Sequence, residues 1–405
     1  MAAFAVLALV TIGIAIISRP PRATRLLLGA VGNAFGLQVS AASGTYRLRG
    51  TPMLDVRGVV AREPGAAKPL LHADRIVVAL PWSTIRSRGN DLAIDRIELQ
   101  RPVFDLAALQ HWLQQRPPGK TRIPRLSHGL HVSDGTVAAD GWMISGVTLD
   151  LPMLAPGRRV AASLDGRYRS EALQVPFALH AVLSAPASDA AIGIAGRIDI
   201  VRDAWHMPAY VVASGKLQPL DGGWQLQRAR LQASARYVAQ TTDVPFALGM
   251  AGTLQQRAGR VQLSPAAIAT RGRGLVPQLD AHGEIAVATM LELQLAGALQ
   301  AWPKDWPQLP SPLDQSHAAL PFRMAYSGKP DLSDEATLQL RRDDVRFDGR
   351  FSPLDITAWM IAGSGNPLPP LDGHLVAPRI DIAGASLQGV DMTLDDPAVA
   401  APATQ

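Results

Sequence analysis

From residue 37 onward, apolar and polar residues alternate with a period of two. The clearest run is Ala229, Leu231, Ala233, Ala235 and Tyr237, interleaved with Arg230, Gln232, Ser234 and Arg236. A second sets Ile285, Val287, Leu291, Leu293 and Leu295 against Glu284, Glu292 and Gln294, and shorter runs fall at Val147-Leu149-Leu151 and Ile380-Ile382. Successive side chains of a strand point to opposite faces, so each run predicts a strand with one apolar and one wet face. That is the pattern of an antiparallel sheet. Asp-Gly pairs punctuate the chain at Asp134-Gly135, Asp140-Gly141, Asp221-Gly222-Gly223, Asp348-Gly349 and Asp372-Gly373, and each predicts a turn.

The strands are organised in a repeat. Val175-Pro176-Phe177-Ala178-Leu179 returns as Val244-Pro245-Phe246-Ala247-Leu248 and, more loosely, as Leu320-Pro321-Phe322-Arg323-Met324. The prolines stand 69 and then 76 residues apart, too far for one hairpin and suited to a unit of several strands. Proline at the head of a strand is tolerated because the first residue can lack a ladder donor. Helices are few. Asp105 is placed to cap a helix from Leu106 to Gln115, and Ser352-Pro353-Leu354-Asp355 reads as a capping box leading into Ile356 to Ile361.

The first seventeen residues, Met1 to Ile17, carry no charge. At 1.5 Å per residue they span roughly 25 Å as a helix, the short end of the transmembrane range. A cleavable signal peptide needs a basic segment before the apolar run and a small-x-small site after it, and neither is present. The reading is an uncleaved anchor over 1–18 and a juxtamembrane segment over 19–36. Arg19, Arg22 and Arg25 follow the span, and basic residues favour the cytoplasmic side, so charge alone points the bulk of the chain inward. Residues 396–405 read as a disordered tail.

Composition narrows the class. Among 405 residues, 47% are apolar, 18% charged and only 5% aromatic, which excludes a disordered chain and asks for an aliphatic core. The absence of cysteine excludes a disulfide framework, a thiolate zinc site and a thiol nucleophile. The net charge of +5 comes from 34 arginines and 5 lysines scattered along strand-like segments. Nucleic-acid binders gather such charge on one face, so no nucleic-acid partner is expected.

The order of elements from residue 54 to 112 is that of a known family. It runs Leu54-Asp55-Val56, Pro69-Leu70-Leu71-His72-Ala73, Leu80-Pro81-Trp82, then Ile94-Asp95-Arg96-Ile97-Glu98-Leu99-Gln100-Arg101-Pro102. The end of the chain adds Leu371-Asp372-Gly373-His374-Leu375, Ile380-Asp381-Ile382-Ala383-Gly384-Ala385 and Leu387-Gln388-Gly389-Val390. The chain resembles the AsmA-like family, related to TamB and the chorein-type bridge proteins, though His111 stands before Trp112 where that family often has Asn. The resemblance implies a single-pass inner-membrane anchor, the bulk in the periplasm, and a mainly β fold curled into an open, taco-like groove. It also implies a role in outer-membrane biogenesis. The domains are then the anchor and juxtamembrane segment, an AsmA/chorein-like β region over 37–160, and a repeating β-groove region over 161–395.

A sheet with one apolar face buries it against a second layer or around something else. Too few amphipathic helices are available to cover a long sheet, which leaves a sandwich core or a groove filled by acyl chains. The residues expected to line a lipid groove are Phe177, Leu179, Leu231, Ala233, Ala235, Tyr237, Phe246, Leu248, Ile285, Val287, Leu291, Leu293, Leu295, Phe322 and Met324. Partners expected are phospholipid, the inner membrane and an envelope protein. The alternative is a non-enzymatic scaffold or regulator of outer-membrane protein assembly. No HExxH, G-x-S-x-G, Walker loop or dinucleotide fingerprint occurs. His128 and His131, three apart near Asp134, fall on opposite faces of a strand, as do the members of Asp343-Asp344 and Asp395-Asp396. Neither a metal, a cofactor nor a catalytic group is therefore expected, and Trp302 and Trp306 read as an irregular apolar cap.

Overall fold

The computed structural model describes residues 36–86, 93–115, 125–171, 173–185, 189–202, 204–240, 242–306, 311, 316, 318–362, 370–382 and 385–396. The expected anchor over 1–18, all but the last residue of the 19–36 segment, and 397–405 lie outside the described residues. Among the described residues no helix is long and apolar enough to cross a membrane. The fold is mainly β, with 22 strands sharing one hydrogen-bonded sheet. By contacts the chain divides into two compact units, Met1–Ala190 with Ile194–Asp203, and Ala191–Gly193 with Ala204–Gln405.

Unit 1 opens with β1 (Gln38–Ser40) and β2 (Ser43–Arg47), both antiparallel to β3 (Met53–Arg62), which pairs on with β4 (Leu71–Ala79). After a short helix, α1 (Trp82–Arg86), come β5 (Ala93–Ile94), β6 (Arg96–Gln100) and β7 (Val103–Asp105). Helix α2 (Leu106–Gln114) is capped as the sequence predicts: the Ala108 N–H donates to Asp105 Oδ1 at 2.9 Å. It lies against β7 and β9 (Leu130–Ala139) and serves as the crossover that makes β9 parallel to β6 and β7. A small parallel pair joins β5 to β8 (Arg125–Leu126). Beyond β9 the order is a plain antiparallel meander through β10 (Trp142–Leu151), β11 (Val160–Ser170) and β12 (Gln174–Leu183). Strand β13 (Ala191–Arg202) contributes residues to both units.

The packed centre of unit 1 is where β3 meets β4. Val56, Val59 and Ala73 are buried there, with Val39, Leu54, Leu71 and Ile76 against them. In the same pair of strands, Arg75 forks onto Asp55 with Nε–Oδ1 at 2.9 Å and Nη2–Oδ2 at 2.7 Å, on the face that also carries Ala73 and Val77.

Unit 2 is a meander of long strands. Its order is β14 (Trp205–Leu220), β15 (Gly223–Ala239), β16 (Thr242–Arg257), β17 (Arg260–Gly272), β18 (Gln278–Val287) and β19 (Leu291–Ala301). Then follow β20 (Leu320–Gly328), β21 (Ala336–Arg342), β22 (Val345–Phe351), α3 (Pro353–Ala362), β23 (Leu371–Ile382) and β24 (Ala385–Leu394). Every neighbouring pair from β14 to β24 is antiparallel. At α3 the N-cap bond of the predicted box is present, with the Asp355 N–H donating to Ser352 Oγ at 3.4 Å.

Three of the five Asp-Gly pairs are not turns. Asp134-Gly135 is a kink inside β9, with Asp134 at φ 53 and the register of β9 against β10 shifting beside it. Asp348-Gly349 and Asp372-Gly373 sit in the middle of β22 and near the start of β23, with Gly349 directly opposite Gly373. A β-carbon would meet the Phe347 ring at 2.5 Å on Gly349 and at 2.7 Å on Gly373. These glycines are present because a phenyl ring lies flat across them.

The Arg75 guanidinium holds the Asp55 carboxyl below the usual carboxylate range. A group depressed in this way adds stability above its unfolded pKa and loses it as pH falls through the folded value. Asp55→Asn is therefore expected to lower the thermal midpoint at neutral pH and to lose less on acidification than the parent chain. Melts at neutral and acid pH check this; equal losses in both proteins would show that the bridge adds nothing.

Candidate functional site

The thirteen groove candidates that fall in unit 2 all lie on one face of its sheet. Directly paired residues of an antiparallel ladder project to the same side. On β15 and β16, Leu231 faces Met250, Ala233 faces Leu248, Ala235 faces Phe246 and Tyr237 faces Val244. Further along, Ile285 faces Leu293, Val287 faces Leu291, Leu295 faces Met324 and Gly297 faces Phe322. Of these thirteen candidates only Ala235 is buried; the other twelve are half-buried.

Following the register sideways gives two apolar rows that never break. One runs from Ala213 and Leu231 through Met250, Ile268, Ala281, Gly297 and Phe322 to Leu340, Phe347, Leu375 and Met392, crossing eleven strands. The other runs from Leu217 and Leu226 through Leu254, Leu263, Ile285, Leu293 and Tyr326 to Ala336, Phe351 and Leu371. A second layer packed on this face would take its large side chains fully out of water. Instead Met250, Ile268, Leu293, Phe322, Leu340 and Phe347 are all half-buried; the buried members of the rows are Leu263, Tyr326, Ala281 and Ala336.

Between the rows lie small residues: Ala229 opposite Gly252, Ala266 opposite Gly283, and Gly349 opposite Gly373. Larger neighbours lean into this space. A β-carbon on Gly252 would meet Leu263 Cδ1 at 2.9 Å, and one on Gly215 would meet Leu226 Cγ at 2.4 Å. The same level carries three register shifts of unit 2, between Ser214 and Lys216, Leu226 and Ala229, and Leu263 and Ala266. A bulge bends its strand and increases the local twist. Neighbouring strands of unit 2 are thus bent at one level.

The opposite face is polar and knit by ion pairs. Arg236 meets Asp243, Arg271 meets Asp280 and Arg260 meets Glu292, each at 2.7 Å, and His374 meets Asp391 at 2.6 Å. The Arg260 guanidinium holds the Glu292 carboxyl below the usual range. At half-exposed positions such pairs stabilise little, but they keep this face charged and hydrated.

Phe177 and Leu179 belong to unit 1, on β12, where they face Gly166 and Leu164 of β11. Phe177 lies over Gly166 as Phe347 lies over Gly349: a β-carbon on Gly166 would meet Phe177 Cζ at 2.9 Å. His131 Nε2 lies 3.1 Å from the His128 carbonyl, but the two rings have different carboxylate partners. His128 Nδ1 pairs with Asp95 at 2.7 Å and His131 Nδ1 with Asp150 at 2.6 Å, and among the described residues no cluster of three His, Asp or Glu could hold a metal. Trp302 and Trp306 meet edge to face at 5.0 Å, and the Trp306 indole N–H donates to the Leu275 carbonyl at 2.8 Å.

Sequence reasoning stopped the strip at β20. Its extension through Leu338, Leu340, Phe347, Leu375 and Met392 carries the same alternation, but there the strands are short and the Asp-Gly pairs mimic turns. Compared with known proteins, the chain matches no family model, no curated protein and no solved structure.

If Phe177 needs the bare backbone of Gly166, Gly166→Ala should destabilise unit 1 by about 1–3 kcal/mol, the range for overpacking. Pairing it with Phe177→Leu should recover most of that loss in a double-mutant cycle, read by denaturant unfolding. Strictly additive losses would show that ring and glycine act independently.

Proposed function

We propose that this chain is an inner-membrane-anchored protein of the AsmA-like kind, with its bulk in the periplasm, and that it handles or transfers phospholipid along the apolar face of its sheet during outer-membrane biogenesis. The single observation that carries the reading is the pair of unbroken apolar rows in unit 2 in which most large side chains, Leu263 and Tyr326 excepted, are only half-buried. Leaving such a strip wet is costly, and covering it with acyl chains recovers roughly 0.8 kcal/mol per methylene, or about 10 kcal/mol for a dozen. The lining is mostly Leu, Ile, Met, Phe and Ala, and the one hydroxyl in the rows, that of Tyr326, donates to the Lys329 carbonyl, so a chain can slide past without breaking hydrogen bonds. The common level of the bulges suits a face that curls around its ligand. Such work needs no catalytic group, metal or cofactor. The inner-membrane and periplasmic parts of the reading come from the sequence resemblance and the apolar run over 1–18.

A scaffold or regulator of outer-membrane protein assembly is the second reading, and β24 favours it. Among the described residues this strand pairs only with β23, and Ala385–Leu394 contains no Lys, Arg or Pro to discourage another strand from adding to its outer edge.

Native mass spectrometry of the gently purified chain is expected to find co-purified phospholipid, and Leu231→Asp with Leu293→Asp is expected to remove most of it while the protein stays folded. A lipid-free parent chain, or retention unaffected by both charges, would overturn the transfer reading. A reporter fused after residue 405 is expected to be active on the periplasmic side; cytoplasmic activity would reverse the topology.

A further inference from the structure

We propose that the end of unit 2 at which β16 and β20 begin is the resting place of the glycerol-ester and phosphate portion of a bound glycerophospholipid. The proposal rests on the lipid reading above and adds to it an orientation, with headgroups along this strand end and acyl chains across the rows.

Two aromatic pairs mark this end. Trp205 opens β14 and Tyr237 stands two residues before the end of β15, their rings 5.6 Å apart and tilted by 39°. By alternation with Ala209 and Ala235 both project from the apolar face. Both are half-buried, and among the described residues neither the indole N–H nor the phenol hydroxyl has a hydrogen-bond partner. A ring with an apolar body and an unused polar tip suits the level where hydrocarbon gives way to ester groups. Trp302 and Trp306 form the second pair, in the connection from β19 to β20. The Trp306 indole ties that connection to Leu275 in the turn between β17 and β18. Arg273 in that turn and Lys304 beside Trp302 are exposed and, among the described residues, unpaired, donors for a phosphate, with exposed Asp305 as the opposing charge.

The arrangement is repeated in the sequence. Tyr237 precedes Pro245 by eight residues, and Tyr168 precedes Pro176 by eight. In unit 1, considered by itself, Tyr168 again pairs with a tryptophan that opens a strand, Trp142, at 5.6 Å and 34°. At the other end of unit 2 the aromatics are used differently. The Tyr326 hydroxyl donates to the Lys329 carbonyl at 2.6 Å, and exposed Trp224 has no ring partner among the described residues.

The test uses the full chain and two probes, phosphatidylethanolamine brominated at either the 6,7 or the 11,12 positions of one acyl chain, and oleic acid. The Trp205 signal, taken as the parent chain minus Trp205→Phe, is expected to be quenched more by the shallow bromines than by the deep ones. The double variant Trp205→Phe with Tyr237→Phe keeps an aromatic ring at each position and removes both donors. It is expected to bind the phospholipid about five-fold more weakly, the scale of a hydrogen bond, while its affinity for oleic acid changes less than about two-fold. Deeper bromines quenching as well as shallow ones, or equal losses for both probes, would overturn the orientation while leaving lipid binding intact. If neither probe binds the parent chain, the lipid reading and this inference fall together.

Discussion

The structure depends on keeping a two-residue side-chain period in step with strand register. A slip of one residue would turn a whole strand's apolar set to the opposite face. In unit 2 the step is kept across eleven antiparallel strands, even where the spacing becomes odd. Leu226 and Ala229 are three residues apart, yet both stay on the apolar face, because the bulge between them sets the extra residue against the two-residue step from Leu254 to Gly252. The shift from Leu263 to Ala266 against Ile285 and Gly283 does the same on the next strands. The bulges thus bend the sheet without mixing its faces.

That separation gives unit 2 two chemically opposite surfaces. One carries charge in neighbouring pairs, such as Arg271 with Asp280 and Arg260 with Glu292. The other carries rows in which most of the Leu, Ile, Phe and Met side chains are left half-wet. Deeply buried large side chains do occur in the protein, at Val59, Pro102 and Ile380 for instance, so the chain is able to seal a face where one is sealed. The apolar rows of unit 2 are a different kind of surface, one suited to a sliding ligand.

Much of this was legible in the sequence, and the misses have physical reasons. The long runs on β15, β18 and β19 announced themselves because every second residue is apolar and the pattern lasts longer than a turn can mimic. The caps at Asp105 and Ser352 were legible because a side-chain oxygen must meet free N–H groups at a helix start. Asp348-Gly349 and Asp372-Gly373 misled, since a glycine required beneath the Phe347 ring has the same letters as a glycine required by a turn. The parallel pairing of β6 and β7 with β9 was invisible because parallel and antiparallel strands share one period; only the crossover through α2 distinguishes them. Of the candidate residues, Phe177 and Leu179 belong to unit 1 while the rest share one face of unit 2. The strip's continuation to Met392 was hidden by the brevity of β21 and β22.

The central claim is that the apolar rows are open to solvent until lipid covers them. The chain has no cysteine, so Leu293→Cys places a single thiol on the strip. In the delipidated full chain this thiol should react with a maleimide within about tenfold of the rate at Gln294→Cys on the polar face, and the reaction should slow by about tenfold or more once phospholipid is loaded, since exposure governs thiol access. A Leu293→Cys thiol as inert without lipid as one placed at buried Val59 would show the strip sealed by protein and would contradict the account.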